Sequence, residues 1–379
     1  MRKIRLFKPS IGNQEIQSIK DVFKRSWLGY GPLVNKFEKK FASFIGTKYA
    51  VGVNSGTAAL HLALLHKNFK KRKKILVPAI TFSATAASAL YCGLEPKFVD
   101  VNPEDLTIDI NDLKRKYTKD CVALICVHMG GHPCKMDKIA PWARKKKLYL
   151  IEDCAETCGS EYKGKKIGTW GDISCFSFEE KKIISTGDGG MICLNDKKIY
   201  DKIKSLSFHG WNIDPWTRHN KSFDKKNKSS KHWNYEIVNL GFKYNMNDFI
   251  AAVGLIQLKK INLFNKKRIK IIKMYLDGIK NLKKIKPTFP YILKKSSYWL
   301  FSIKTKQRDK LVNFLRSKGI STAVHFVPLP LHKLFKKYNK NVKHSLKIWK
   351  EIVSIPFFPD LKKQEVNYIL DCLKSFDKK

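Results

Sequence analysis

"CVALICVHMGGHPCKMDKIAPWARKKKLYLIEDC", residues 121–154, contains two nearly continuous apolar runs, CVALICVHM and LYLIEDC. Between them, KMDKIAPWARKKK reads as a helix. A strand that is apolar on both faces must be covered on both faces. Two such strands joined through a helix predict a mostly parallel sheet with helices on each side.

The alternation continues outward. VNKFEKKFASFIG (34–46) has apolar residues at helical spacing. YAVGVN (49–54) is a short apolar strand, and GTAALHLALLHKN (56–68) opens a helix. KILVPAI (74–80) reads as a strand, TFSATAASALYCG (81–93) as a helix with a glycine stop, and EPKFVDV (95–101) as a strand. ISCFSF (173–178) and GGMICL (189–194) are further strands. A polar stretch from Asn212 to about Glu236 is long for a plain connection, so it is functional or mobile. A long helical pattern follows over 247–279. SSYWLFSIKT, QRDKLVNFLRSKG, TAVHF and KQEVNYILDCLKSF then read as strand, helix, strand, helix. The fold class is α/β, with a large domain at 1–250 and a small α/β domain at 251–379.

Composition narrows the function classes. With 379 residues and 43% hydrophobic side chains there is material for a packed core. No apolar run of about 18 residues occurs, so no membrane span is expected. MRKIRLFKPS has basic residues without a following apolar core, so no secretory signal is expected. Nine cysteines lie scattered without paired knuckles, which argues against a zinc site, or any metal site, and for reduced thiols in the cytoplasm. The balance of 75 basic and 32 acidic residues gives +43. That excess is spread along the chain, with neither a recognition helix nor aromatic stacking motifs, so nucleic acid is not the expected partner. The field it sets up attracts anionic substrates. KKRKK (70–74) reads as a solvated loop between helix and strand.

Three places carry candidate chemistry. In VNSGTAALHLA (53–63) a strand ends, small residues follow and a helix begins. That is an N-cap or an anion site made of backbone amides and hydroxyls. Glu152 and Asp153 end an apolar strand, where ligands of open α/β sheets sit; such an Asp pairs with a cationic ring nitrogen or caps the next helix. In SFEEKKIISTGDGG (177–190), Lys181 and Lys182 follow a core strand closely. Desolvation there makes an amine usable for imine formation, the alternative being ordinary surface charge. A phosphate cradle, an anion and an amine at neighbouring strand ends together suit pyridoxal 5'-phosphate.

The sequence resembles the DegT/DnrJ/StrS sugar aminotransferases, of pyridoxal-phosphate fold type I, aspartate aminotransferase-like. The likeness runs through FIGTKYAVGVNSGTAALHLAL, ILVPAITFSATAASALYCGLEPKFVDV, VHMGGHP, LIEDCAETCGSEYKGKKIGTWGDISCFSF, STGDGGMI, GFKYNMNDFIAAVGLIQL and SIPFFPDL. The family pattern SFHxxKxxxxGEGG lies over 177–190 and puts the cofactor-linking lysine at Lys182. The resemblance implies Gly56, Thr57 and Ser177 at the phosphate and Phe82 stacked on the ring. It implies Asp153 at the ring nitrogen and Glu156 beside it. Asn245 is implied to reach the phosphate of a neighbouring subunit, hence a homodimer with shared sites. It further implies L-glutamate as donor and a nucleotide keto sugar as acceptor, with ping-pong kinetics. Two positions depart from the pattern: Glu179 stands where His is usual, and Asp188 replaces the Glu of GEGG. Relatives that lack the lysine are sugar dehydratases; the presence of Lys182 favours transamination over that alternative and over a non-catalytic basic binder.

Weaker candidates remain. His128 and His132 end a core strand, as a polar turn or as site residues. His325 reaches the substrate or is structural. Arg218, among Trp211, Trp216 and Trp233, binds a diphosphate or lies in a solvated loop. The layout WTRH…HWNYEIVNLGFKYNMND is similar to that of members acting on 4-keto nucleotide sugars, the perosamine and 4-amino-arabinose type.

Overall fold

The computed structural model describes residues 3–70, 73–223, 233–338 and 341–378. Lys71 and Arg72 of the basic loop, and 224–232 of the polar stretch, lie outside the described residues.

Chain order explains the main sheet. Helices α1 (Asn13–Lys24) and α2 (Pro32–Ile45) precede strand β1 (Tyr49–Val53). Then α3 (Gly56–Leu65), β2 (Lys74–Pro78), α4 (Ser83–Tyr91), β3 (Glu95–Val99), α5 (Ile110–Lys116), β4 (Cys121–Val127), α6 (Met136–Lys145) and β5 (Tyr149–Asp153) alternate as the apolar pattern predicts. A small hairpin, β6 (Glu161–Tyr162) and β7 (Lys165–Lys166), leads to β8 (Ile173–Ser177) and β9 (Gly190–Leu194). The seven-stranded sheet has the order β1-β9-β8-β5-β4-β2-β3. Only β9 is reversed, pairing antiparallel with both β1 and β8. The other six strands therefore point their carboxyl ends to one edge.

The two faces are buried against different helices. Side chains of α2, α6 and α9 (Asp248–Ile279) cover one face, and those of α3, α4 and α7 (Lys197–Ser207) the other. Helix starts follow local chemistry. Pro32 opens α2, where its missing N–H costs nothing. The Ser55 and Asn247 side chains cap α3 and α9 by accepting from Ala58 and Ile250 amides.

The second unit has strands β10 (Lys286–Pro287), β11 (Phe301–Lys304) and β12 (Ile352–Ile355), all antiparallel. Helices α10 (Arg308–Ser317) and α12 (Lys363–Lys378) pack with it, around a cluster that also takes Ile4 from the N-terminus. The expected boundary at 250 falls within the first turn of α9, a 32-residue helix that runs through both units. A Cβ at Gly254 would sit 2.5 Å from the Phe37 ring, so α9 lies close on α2 at its start. Within the polar stretch, Pro215–Phe223 forms helix α8. TAVHF is not a strand. It meets β12 at the single bridge Ala323↔Ser354 and then leaves the small sheet, because the chain crosses back to the large one.

That crossing is anchored at both ends. The Leu329 amide donates to the Ala79 carbonyl at 2.8 Å, beyond the end of β2. Further on, α11 (Lys343–Ile348) starts on buried Asp100, whose carboxylate accepts from the amides of His344 (2.8 Å) and Ser345 (2.7 Å) and from the Ser345 hydroxyl (2.5 Å). Asp100→Ala strands these three donors. It is expected to lower stability by about 2–4 kcal/mol, measured as the urea midpoint, with faster hydrogen exchange at 343–348.

Candidate active site

The strand ends converge on a cavity of about 320 Å³. Its lining includes Gly56, Thr57, Phe82, Asp153, Glu156, Ser177, Lys182 and His325, so eight residues singled out from sequence meet in one place.

At one wall, β1 turns into α3. Ser55 uses its hydroxyl on the Ala58 amide at 3.1 Å. The amides of Gly56 and Thr57, ahead of it at the helix N-terminus, have no protein acceptor among the described residues. This is where a helix offers N–H groups to an anion. Space for it comes from close backbone approach. A Cβ at Gly56 would lie 2.8 Å from the Ser177 Cβ, and one at Gly190 would lie 2.4 Å from the Ser55 carbonyl oxygen. Only glycine lets β8 and β9 come this near the helix start.

At the floor, Asp153 ends β5 and is 4% exposed. Its Oδ2 accepts from the Thr85 hydroxyl at 2.8 Å, and its Oδ1 from the Ala155 amide at 3.1 Å. Thr85 in turn meets the Thr81 hydroxyl at 2.8 Å. Burial pushes the Asp153 carboxyl above the usual range, against the pull of these bonds and of the Lys182 charge. The carboxylate thus faces the cavity without a salt-bridge partner among the described residues, a setting that suits a ring cation. Burial likewise pushes Glu156 up to about 7, with the Lys182 charge and the Gly130 amide (2.6 Å) opposing.

Glu152, one residue earlier, points to the other face. Its oxygens accept from the amides of Gly168 (3.0 Å), Trp170 (2.7 Å) and Gly171 (2.8 Å) and from His128 Nε2 (3.2 Å). The Cys134 amide donates to His128 Nδ1 at 3.2 Å, so the ring carries its proton on Nε2. His128, Glu152 and Cys154 lie near one another, and the lone pairs of Glu152 and His128 are engaged in tying loops together. His132 stacks on Phe289 outside the cavity lining.

The paired lysines separate. Lys181 is the more exposed of the two, at the cavity's edge, and pairs with Glu179 and Glu180, each at 3.3 Å. Lys182 is half-buried, makes no ion pair among the described residues and lies 4.0 Å over the Trp299 ring. Glu179, the departure from the family pattern, is thus balanced by its neighbour Lys181. His325 bonds Ser354 Oγ at 2.9 Å and backs the lysine. Phe82, at the mouth, is 56% exposed and free to cover a ring. Sequence reading missed Thr85, Trp299 and Phe326, which also line the cavity. Thr85 stands one helical turn after Phe82, a spacing that could have flagged it; Trp299 arrives from the other unit, with no local signal.

Two candidates lie elsewhere in this chain. Asn245 borders a second cavity, with Tyr30, Lys204 and Trp211, and accepts from Lys243 Nζ at 2.8 Å. Arg218 on α8 sits 5.0 Å from both the Trp211 and Tyr235 ring centroids, which stack at 3.9 Å.

Burial, with the Lys182 and Lys181 charges, pulls His325 down to about 4, below the ordinary value near 6.5. As pH falls, the unfolded chain takes this proton first. Stability is therefore expected to drop between about pH 6.5 and 4, and His325→Gln flattens part of that slope in urea titrations across pH.

Residues 9–374 match the DegT/DnrJ/EryC1/StrS aminotransferase family. GDP-perosamine synthase of Escherichia coli O157:H7 is 34% identical over 381 residues, covering 99% of each chain. Helicobacter pylori PseC, an aminotransferase involved in the biosynthesis of pseudoaminic acid, superposes with TM-score 0.90 at 25% identity over all of both chains. The putative sugar aminotransferase Spr1654 of Streptococcus pneumoniae, solved in its PLP form, gives TM-score 0.89 at 25% identity over 100% of this chain and 99% of that one. With its six parallel strand ends, half-buried lysine and buried strand-end aspartate, the chain belongs to the DegT/DnrJ/EryC1/StrS aminotransferase family.

Proposed function

We propose that this sugar aminotransferase takes an amino group from L-glutamate and gives it to the keto group of a nucleotide-linked sugar, with pyridoxal 5'-phosphate held in the Lys182 cavity. The observation that carries the reading is, among the described residues, an amine without a carboxylate partner facing a buried carboxylate without a cation, beside open helix amides.

The residues present fit the cofactor. The amides of Gly56 and Thr57, with the hydroxyls of Thr57 and Ser177, bind the phosphate. Phe82 covers one ring face. Asp153, held by Thr85 and Ala155, keeps the ring nitrogen protonated, and Glu156 is placed for a polar ring substituent. Pyridoxal phosphate, when bound, supplies an aldehyde for the amine and an electron sink for negative charge at the substrate carbon. Lys182 Nζ would anchor it and, as a free amine, would take the proton from the substrate carbon and deliver it to the former aldehyde carbon. The Trp299 ring, 4.0 Å from Nζ, offers the amine a resting place. His325, uncharged at neutral pH, is a wall toward the sugar.

The functional unit is a homodimer in which Asn245 completes the partner's phosphate site. Its absence from its own chain's cavity supports this, as do the exposed apolar side chains of Ile237, Val238 and Leu240 near it in sequence. The flat Trp211–Tyr235–Arg218 group suits a nucleoside diphosphate. The protein acts in the cytoplasm: all nine cysteines are unpaired, and among the described residues no helix is long and apolar enough to cross a membrane.

Borohydride reduction of the loaded enzyme should leave the cofactor mass on Lys182, read by peptide mass spectrometry. Lys182→Ala is expected to lose the tag and to lower turnover at least about 10²–10⁴-fold in a glutamate-dependent screen over nucleotide keto sugars. Full turnover by that variant overturns the reading.

A further inference from the structure

The turn after β8 is gripped at every second residue by side chains from distant parts of the chain. Trp299 Nε1 donates to the Lys181 carbonyl at 2.8 Å. Arg268 Nη1 donates to the Ile183 carbonyl at 3.3 Å. Gln257 Oε1 accepts from the Ser185 amide at 3.2 Å. All three gripping residues are buried. The Lys182 amide closes on the Glu179 carbonyl at 2.9 Å. Thus the backbone on both sides of Lys182 is held, and its side chain is left to extend into the cavity.

Arg268 is the telling member. It is 3% exposed on α9, makes no ion pair among the described residues, and its Nε has no partner. A buried cation without an ion pair is costly even with the Asp360 charge in range, and an apolar residue of similar volume often packs as well or better. What the guanidinium does here is hold the carbonyl next to Lys182. Gln257 extends the grip: its Nε2 donates to the Ser10 carbonyl (2.9 Å) and to Glu15 Oε1 (2.8 Å), and Lys260 pairs with Glu15 at 2.7 Å.

We propose that Gln257, Arg268 and Trp299 are positioning residues that fix the backbone of 181–185, so that proton transfer by Lys182 requires only its side chain to move. A lysine stem has many rotamers, and clamping its Cα leaves fewer arrangements to search before the amine meets the reacting carbon. The inference rests on Lys182 being the amine that links the cofactor.

The test uses Trp299→Phe, which keeps an aromatic face over Nζ and deletes the indole N–H, together with Gln257→Leu, Arg268→Met and Arg268→Lys. Three readouts are taken: hydrogen exchange in the cofactor-free protein, the rate at which added pyridoxal phosphate becomes trappable on Lys182 by borohydride, and steady-state kinetics. Expected are about tenfold faster exchange at 182–185 with β8 and β9 unchanged, slower tagging, and kcat lowered about tenfold with the KM for the amino donor within about twofold. Arg268→Lys recovers part of what Arg268→Met loses. Unchanged exchange and tagging in folded variants overturn the clamp, as does loosening spread equally through β8 and β9. Should Arg268→Met not fold, Trp299→Phe and Gln257→Leu decide by the same criteria. If the parent enzyme carries its tag on another lysine, the functional reading fails, and the clamp with it.

Discussion

A carboxylate buried at the end of a core strand is the constraint around which this molecule is arranged. Asp153 is 4% exposed and receives a hydroxyl and an amide, but no ion-pair partner among the described residues. Leaving a charge so desolvated is unfavourable unless a cation comes to face it. The parallel sheet delivers that carboxylate to the same edge as the start of α3 and the turn bearing Lys182, so anion, amine and amides share one cavity. Brought together, these three features support the proposed cofactor site; separately, each has an ordinary structural explanation.

Glycine makes the meeting sterically possible. The reversed strand β9 lies between β1 and β8, and Gly190 brings it against Ser55 while Gly56 brings the helix start against Ser177. Any side chain at either position would fill the space beside the open amides. The neighbouring Glu152 and Asp153 show how pleating divides labour. Alternate residues of a strand point to opposite faces, so one carboxylate staples loops through three amides and a histidine while the next faces the cavity.

The small unit is part of the site and not an appendage. Trp299, two residues before β11, lies under Lys182, and His325 and Phe326 close another wall. The chain reaches that wall by leaving β12's edge at Ala323, crossing to Ala79 and docking α11 on Asp100. A strand reading of TAVHF fails for this reason. Its residues suit a strand, but the path demanded by the crossing allows only one bridge.

What was legible in the residues alone is what depends on local periodicity: the alternation of buried strands and helices, a lysine pair just after a core strand, and the strand-end pair Glu152 and Asp153; the choice of Lys182 came from the family pattern. Those signals are local because side-chain period and turn chemistry are properties of neighbouring residues. Folding decided the rest. It paired Lys181 with Glu179 while leaving Lys182 over an indole that lies more than a hundred residues away. It also placed Asn245 and Arg218 away from their own chain's cavity. No spacing rule encodes such outcomes, since they are set by which surfaces pack together and which groups burial leaves without a partner.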